Sequence, residues 1–302
     1  MGKYIFLFLT VILLLINSCG DGLKEKGSAD YINEVKNWHK KRIENLKKEN
    51  GWLNLVGLYW LKEGENKFGS DRSNDIDFPV GKSAPFIGSF FLKDSVVTIK
   101  INSDVEVFLE NCEPVTEMEL KNDLQPGTTI LDHGSLRWFV IKRGDRYGIR
   151  LRDLDAELVK KFAGIETYPI NSDWKVEAKF EAYLPNKIIS VPNILGTIDK
   201  EKSPGALLFN VDQREYRLDV LDAGKSYFVI FADETSGNET YGGGRFLYVD
   251  KPDSTGKIFI DFNKAYNPPC VFTKYATCPL PPKQNHLKLE ITAGEKNYGY
   301  NH

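Results

Sequence analysis

Between Trp174 and Tyr183 the side chains alternate residue by residue: Val176, Ala178 and Phe180 against Lys175, Glu177, Lys179 and Glu181. A period of two places successive side chains on opposite faces of an extended chain, so this stretch reads as a strand with one face buried and one wet. It has many companions. Apolar or alternating runs at 136–142, 147–152, 207–210, 216–221, 227–232, 245–249, 257–262 and 287–292 are separated by turn residues. Earlier in the chain, 90–92, the turn Lys93-Asp94-Ser95 and 96–101 read as a hairpin, with a further strand at 105–109. Residues 62–66 read as a turn, and Arg143-Gly144-Asp145-Arg146 joins 136–142 to 147–152. Many short strands at this spacing predict a mainly β chain built from antiparallel sandwich or barrel units. One long segment departs from the pattern. Over 31–50, Tyr31, Ile32, Val35, Trp38, Ile43 and Leu46 recur near a helical period, with lysines on the other faces. This predicts a single N-terminal amphipathic helix, capped by Ser28 or Asp30 and ended at Gly51, that lays its apolar stripe on the main body. Residues 155–162 read as a short second helix.

The first 18 residues read as a targeting segment. Lys3 precedes an apolar run from Tyr4 to Ile16, too short to span roughly 30 Å of hydrocarbon as a helix but suited to the core of a signal peptide. Ile16-Asn17-Ser18-Cys19-Gly20 then resembles a lipobox, which implies cleavage before Cys19 and lipidation of its thiol. The expected outcome is an extracytoplasmic lipoprotein, on the periplasmic side or at the outer membrane, held to a membrane through Cys19. Residues 19–30 are the expected tether.

A net charge of −2 offers no basic excess for nucleic acid, and 41% hydrophobic residues suffice for a sizeable core. With Cys19 lipidated, Cys112, Cys270 and Cys278 remain. Cys270 and Cys278 read first as two buried free thiols; in an oxidising compartment one pair could bridge, and these two, close in sequence, are then the favoured pair. Their spacing of eight, with only His286 nearby, argues against a metal site, and no cofactor is implied. The chain lacks a Gly-x-Ser-x-Gly elbow and a His-Glu-x-x-His helix.

The expected organisation is a small β-sandwich over 51–130 and a larger antiparallel unit over 131–302. Within the first, Gly64-Glu65-Asn66, Phe68-Gly69-Ser70, Asn74-Asp75-Ile76, Ser83 and the 90–101 hairpin resemble the opening strands of a forkhead-associated sandwich. Ser70 stands where such modules carry an arginine, and Phe86 where they carry a histidine. The resemblance therefore implies a sandwich rather than phosphothreonine binding.

Residues 231–296 stand apart. They include Phe231-Ala232-Asp233-Glu234-Thr235-Ser236-Gly237, three glycines before Arg245, Asp261-Phe262-Asn263-Lys264-Ala265-Tyr266-Asn267-Pro268-Pro269-Cys270, and Cys278-Pro279-Leu280-Pro281-Pro282. With Gly51-Trp52-Leu53 and Gly57-Leu58-Tyr59-Trp60-Leu61, this resembles a bacterial family catalogued as domain of unknown function sixteen-eighty-four, over nearly all of the chain beyond its signal. The resemblance implies a fold and leaves the chemistry to the residues. The prolines at both ends of 270–278 cannot donate to a sheet, so this stretch is a rigid excursion from the β-scaffold. Arg245 offers a planar fork for a carboxylate or phosphate. Tyr241, Asn263, Tyr266 and Asn267 are expected to complete a polar pocket, joined by Arg150 and Arg152, which share a strand face at a spacing of two. Alternatively, Arg245 simply pairs with Asp233 or Asp261 inside the fold. Three functions follow: binding of a small polar or anionic ligand in a pocket on 231–282, hydrolysis using Asp233, Asp261 or Cys270 in the same pocket, or an envelope scaffold.

Overall fold

The computed structural model describes residues 23–299. The expected signal segment and the lipobox-like motif with Cys19 lie outside them. Among the described residues no helix is long and apolar enough to cross a membrane.

Helix α1 spans Ala29–Lys47, with the Ser28 hydroxyl accepting from the backbone N–H of Tyr31 as its cap. It buries Val35 and Leu46. The expected tether is shorter than 19–30. Lys26 already exchanges backbone hydrogen bonds with Ile170 and Ser172, and the helix begins at Ala29. Strands β1 (Leu55–Trp60), β2 (Gly64–Gly69), β3 (Ile76–Asp77), β4 (Gly88–Lys93), β5 (Val96–Ile101), β6 (Phe108–Leu109), β7 (Glu117–Leu120), β8 (Ile130–His133), β9 (Leu136–Arg143) and β10 (Arg146–Asp153) follow. After a short helix α2 (Glu157–Lys161) come β11 (Lys175–Pro192), β12 (Ile198–Val211), β13 (Arg214–Ala223), β14 (Ser226–Phe231), β15 (Arg245–Asp250) and β16 (Ile258–Asp261). The chain is mainly β and antiparallel, as its alternation predicts.

Two five-stranded sheets, β1-β10-β9-β8-β6 and β3-β2-β4-β5-β7, enclose the first core. Trp138 stands at its centre, edge-on to Phe68 and Phe78, with Phe68 stacked on Phe90. The position 130/131, where the sequence reading divides the chain, falls inside this sandwich. The hairpin β9–β10 pairs with β1, Leu58 facing Arg150 and Trp60 facing Gly148. Residues 64–66, read as part of a turn, begin β2, since Asn66 closes the bend with its own side chain by accepting from Lys62 N–H and donating to Lys62 C=O.

A third sheet, β15-β14-β13-β12-β11-β16, curls into a nearly closed barrel around Phe209, Val220, Val229, Phe231, Ile260 and Phe262. Strands β11 and β12 are far longer than the alternation suggests. They form one extended hairpin with a register shift between Ala182 and Lys187, and Leu184 at that shift is 91% exposed. From Phe262 to Lys296 the chain runs largely without strands. Its 270–278 excursion wedges between sandwich and barrel, where Cys278 and Ala276 are buried with Leu55, Ile189, Val191 and Ile230.

Candidate functional site

Arg245 leaves the turn after Gly244, which has φ +81°, and a Cβ there would strike Pro281 and the Phe231 carbonyl. The arginine thus enters the barrel rather than a pocket. It is fully buried, with Nη2 donating to Asp233 Oδ2 at 3.1 Å and to the Ile291 carbonyl at 3.0 Å, and Nη1 donating to the Ala293 carbonyl. Asp233 also accepts from the Thr235 and Ser236 hydroxyls and from Ile291 N–H. This is an internal ion pair that fastens the C-terminal segment to β15, the second of the two readings for Arg245. The buried Asp233 has no lone pair left for acid–base work, so it falls away as a catalytic carboxylate.

The other expected pocket residues are dispersed. Asn263 is buried and spends its amide on Tyr31, Asn171 and Asp261. Asn267 N–H donates to Glu295 at 2.7 Å, and Arg42 donates to both Glu295 and the Asn267 carbonyl. Burial pushes the Glu295 carboxyl up, with Arg42 opposing. The Arg42 guanidinium also lies 4.5 Å from the Tyr266 ring centroid. Tyr241 packs in an apolar cluster with Leu46, Leu53 and Phe272. These four residues dock α1 and the C-terminal segment onto the barrel. Asp261 lies at the barrel edge, away from Asp233, and a disulfide joins Cys270 to Cys278, removing Cys270 as a nucleophile. No group of three His, Cys, Asp or Glu side chains converges on one point among the described residues.

What the fold does assemble is an arginine cluster against the disulfide loop. On β10, Tyr147, Ile149 and Leu151 fill the sandwich core, so Arg150 and Arg152 point to the opposite face, toward the wedge. Arg152 donates to the Gly51 carbonyl and to Asn54 Oδ1, and its guanidinium lies 6.0 Å from the Trp52 centroid. Arg150 is 4% exposed and lies 5.7 Å from the same ring. It donates through Nη2 to Thr277 Oγ1 at 3.2 Å, and its buried Nε has no partner. Arg143 donates to the same hydroxyl at 3.2 Å. Among the described residues, no carboxylate forms an ion pair with Arg150 or Arg152; Asp123 is held by Arg143 at 2.8 Å and Asp153 by Lys82. Burial brings the Arg150 guanidinium down to about 10, the nearby Arg143 charge adding to the effect and the Asp123 carboxylate opposing it. Burial, then Arg137, brings Arg152 to about 10. Both remain cations at neutral pH.

Arg143 and Thr277 open onto a cleft of about 200 Å³, whose apolar walls include Val191, Leu221, Phe228 and Ile230. That is room for roughly six or seven waters at their liquid volume. Sequence reasoning found Arg150 and Arg152 but missed Arg143, Thr277 and Trp52. Arg143 looked like a turn residue, and nothing local marks a threonine beside a cysteine as a partner for two arginines over a hundred residues upstream.

A sequence profile of the family described as "Protein of unknown function (DUF1684)" matches residues 160–296. Residues 160–296 belong to that family. The matched region carries Asp233, Arg245, the disulfide loop and Thr277, whereas Trp52, Arg143, Arg150 and Arg152 precede it. No curated protein matches the chain. Among solved structures, an uncharacterized protein of Haloarcula marismortui, determined by solution NMR, is 30% identical over 46% of this chain and 80% of its own, with a TM-score of 0.38. The FhaA FHA domain, crystallised with the intracellular domain of Rv3910, is 17% identical over 32% of this chain and 97% of its own, with a TM-score of 0.22.

Proposed function

We propose that this chain is a lipid-anchored cell-envelope protein that binds a small anion, a carboxylate or phosphate group, between Arg143, Arg150 and Thr277. The lipid anchor rests on the apolar run and the Ile16–Gly20 motif of the sequence. The observation that carries the binding site is Arg150: a buried guanidinium with an unpartnered Nε and no carboxylate in ion-pair contact. Removing a charge from water costs several kcal/mol unless a counter-charge compensates it. Here the protein supplies a hydroxyl and an aromatic ring in contact, while Asp123 acts on Arg150 only through space and is itself ion-paired to Arg143. A planar guanidinium fork suits the two oxygens of a carboxylate or phosphate. The size of the adjoining cleft restricts the rest of the ligand to a few atoms; Val191, Leu221, Phe228 and Ile230 favour a short aliphatic part, while Asp199 and Glu201, which also line it, disfavour a second anionic group.

The test is thermal unfolding of the parent and of Arg150→Met in increasing acetate and in increasing inorganic phosphate, against chloride at matched ionic strength. The parent's midpoint should rise saturably with at least one of the two anions. Without ligand, Arg150→Met should be no less stable than the parent, because an apolar side chain replaces an uncompensated buried charge, and it should lose the anion response. A ligand-free variant destabilised by several kcal/mol, with no anion response in the parent, would make Arg150 a structural residue and end the proposal.

A further inference from the structure

The barrel does not close by hydrogen bonds. Among the described residues its end strands, β15 and β16, pair with no strands but β14 and β11, and they meet along a seam to which α1 contributes Glu34 and Trp38. Phe246 N–H and C=O bond outward to Tyr266, so by the period of two the backbone groups of Tyr248 and Asp250 also face the seam. A cleft of about 480 Å³ runs along it. Among mostly charged lining residues its aromatic walls are Trp38 from α1, Tyr248 from β15 and Phe259 from β16; Tyr248 is 54% exposed and lies against Tyr266, with planes 15° apart. At its edge lies Asp261, 8% exposed. Asp261 Oδ1 accepts from the Tyr31 hydroxyl at 2.8 Å and from Asn263, but Oδ2 accepts no hydrogen bond and has only Lys264 Nζ at 3.5 Å.

From this seam we infer a second binding site, for a saccharide ring. The charges argue for a neutral, hydroxylated guest. Lys264 is committed to Glu34 at 2.6 Å and Lys251 to Asp222 at 2.8 Å, while Lys175 lies 5.2 Å from the Tyr31 centroid and 5.9 Å from that of Phe259. Cationic and acidic groups alternate around the rim, so their fields largely cancel and neither sign of ion is favoured. A sugar ring needs what the seam offers. Aromatic faces pack against its C–H surfaces, and its hydroxyls donate to the exposed Asp250 carboxylate that lines the cleft and bond to the edge backbone of β15. The site lies away from the arginine cluster and does not depend on it.

Saturation-transfer NMR of the full chain with chitotetraose and with maltotetraose tests the inference. At least one should bind saturably. Tyr248→Ala and, separately, Phe259→Ser should weaken that binding by about tenfold, equivalent to ~1.4 kcal/mol of lost stacking. Both side chains are exposed, so these variants should keep the parent's thermal midpoint, and Tyr248→Ala should keep its response to acetate or phosphate. Absence of saturable binding by either sugar, or binding indifferent to both substitutions, overturns the saccharide site. Neither result touches the anion site, which fails only in its own assay.

Discussion

Arg245→Met separates a structural arginine from a ligand-binding one. The guanidinium is fully buried and donates to Asp233, Ile291 and Ala293. Removing one member of a buried ion pair typically costs about 3–5 kcal/mol, mostly because the other charge stays behind. Asp233 would keep three donors, the hydroxyls of Thr235 and Ser236 and the N–H of Ile291. That places the expected loss near the lower end, about 3 kcal/mol, including two carbonyls left short of a donor. With a urea slope of about 2–3 kcal/mol/M for a chain of this size, the denaturation midpoint should fall by roughly 1–1.5 M. Adding Asp233→Asn removes the stranded charge, so the double variant should recover about half of the loss, a coupling that a double-mutant cycle reads directly. Neither variant should alter the anion response assigned to Arg150. The reasoning is refuted if Arg245→Met stays within about 1 kcal/mol of the parent while the anion response disappears, for then the pair is not what holds this part of the barrel.

Two further outcomes are expected. Burial holds the His39 imidazole below its ordinary value of 6.5, against the upward pull of the Asn263 carbonyl it faces and of Asp261, and with Arg42 and Lys264 adding to the depression. The unfolded chain therefore takes up this proton more readily than the native one. His39 contributes stability that is complete above about pH 6.5 and declines as pH falls toward the depressed native value. His39→Gln, whose amide can still donate to the carbonyl, should flatten the stability profile between about pH 7 and 5.5, and an unchanged slope in urea titrations would assign the dependence elsewhere. Replacing Cys270 and Cys278 together by serine opens a loop of eight-residue separation, which should cost about 2.5 kcal/mol on loop-entropy grounds. Because Thr277 rides on that loop, the same variant should bind its anion more weakly, as thermal-shift titration would show.

Much of this fold was legible in the sequence because it rests on local periodicity. Period two predicted the β9–β10 hairpin, a strand from 175 and the common face of Arg150 and Arg152. Period 3.6 predicted α1 and the stripe that docks it. Where strands run beyond the pattern, local reading stops short: β11 and β12 continue past Pro185 and Pro204, positions that break an isolated strand signal. The prolines around Cys270 and Cys278 announce a rigid excursion, whereas the disulfide between them, only one of two readings in the sequence, is decided by the fold that brings the two together. No local signal distinguishes Arg245 from Arg150, since both are arginines on alternating strands.

Sequence alone determined which residues share a face, where the chain turns, and the motif from which a membrane anchor is proposed, because these follow from backbone geometry over a few residues. Tertiary structure decided what each face meets. Strand β1 pairs with β10 rather than with its neighbour in sequence, carrying 130–153 into the first sandwich. Arg245 turns inward to find Asp233, whereas Arg150 turns toward the disulfide loop and finds a hydroxyl and a ring in contact but no ion-paired carboxylate. The free energy of a buried charge depends on the groups within a few ångströms, and those groups come from segments tens to more than a hundred residues distant.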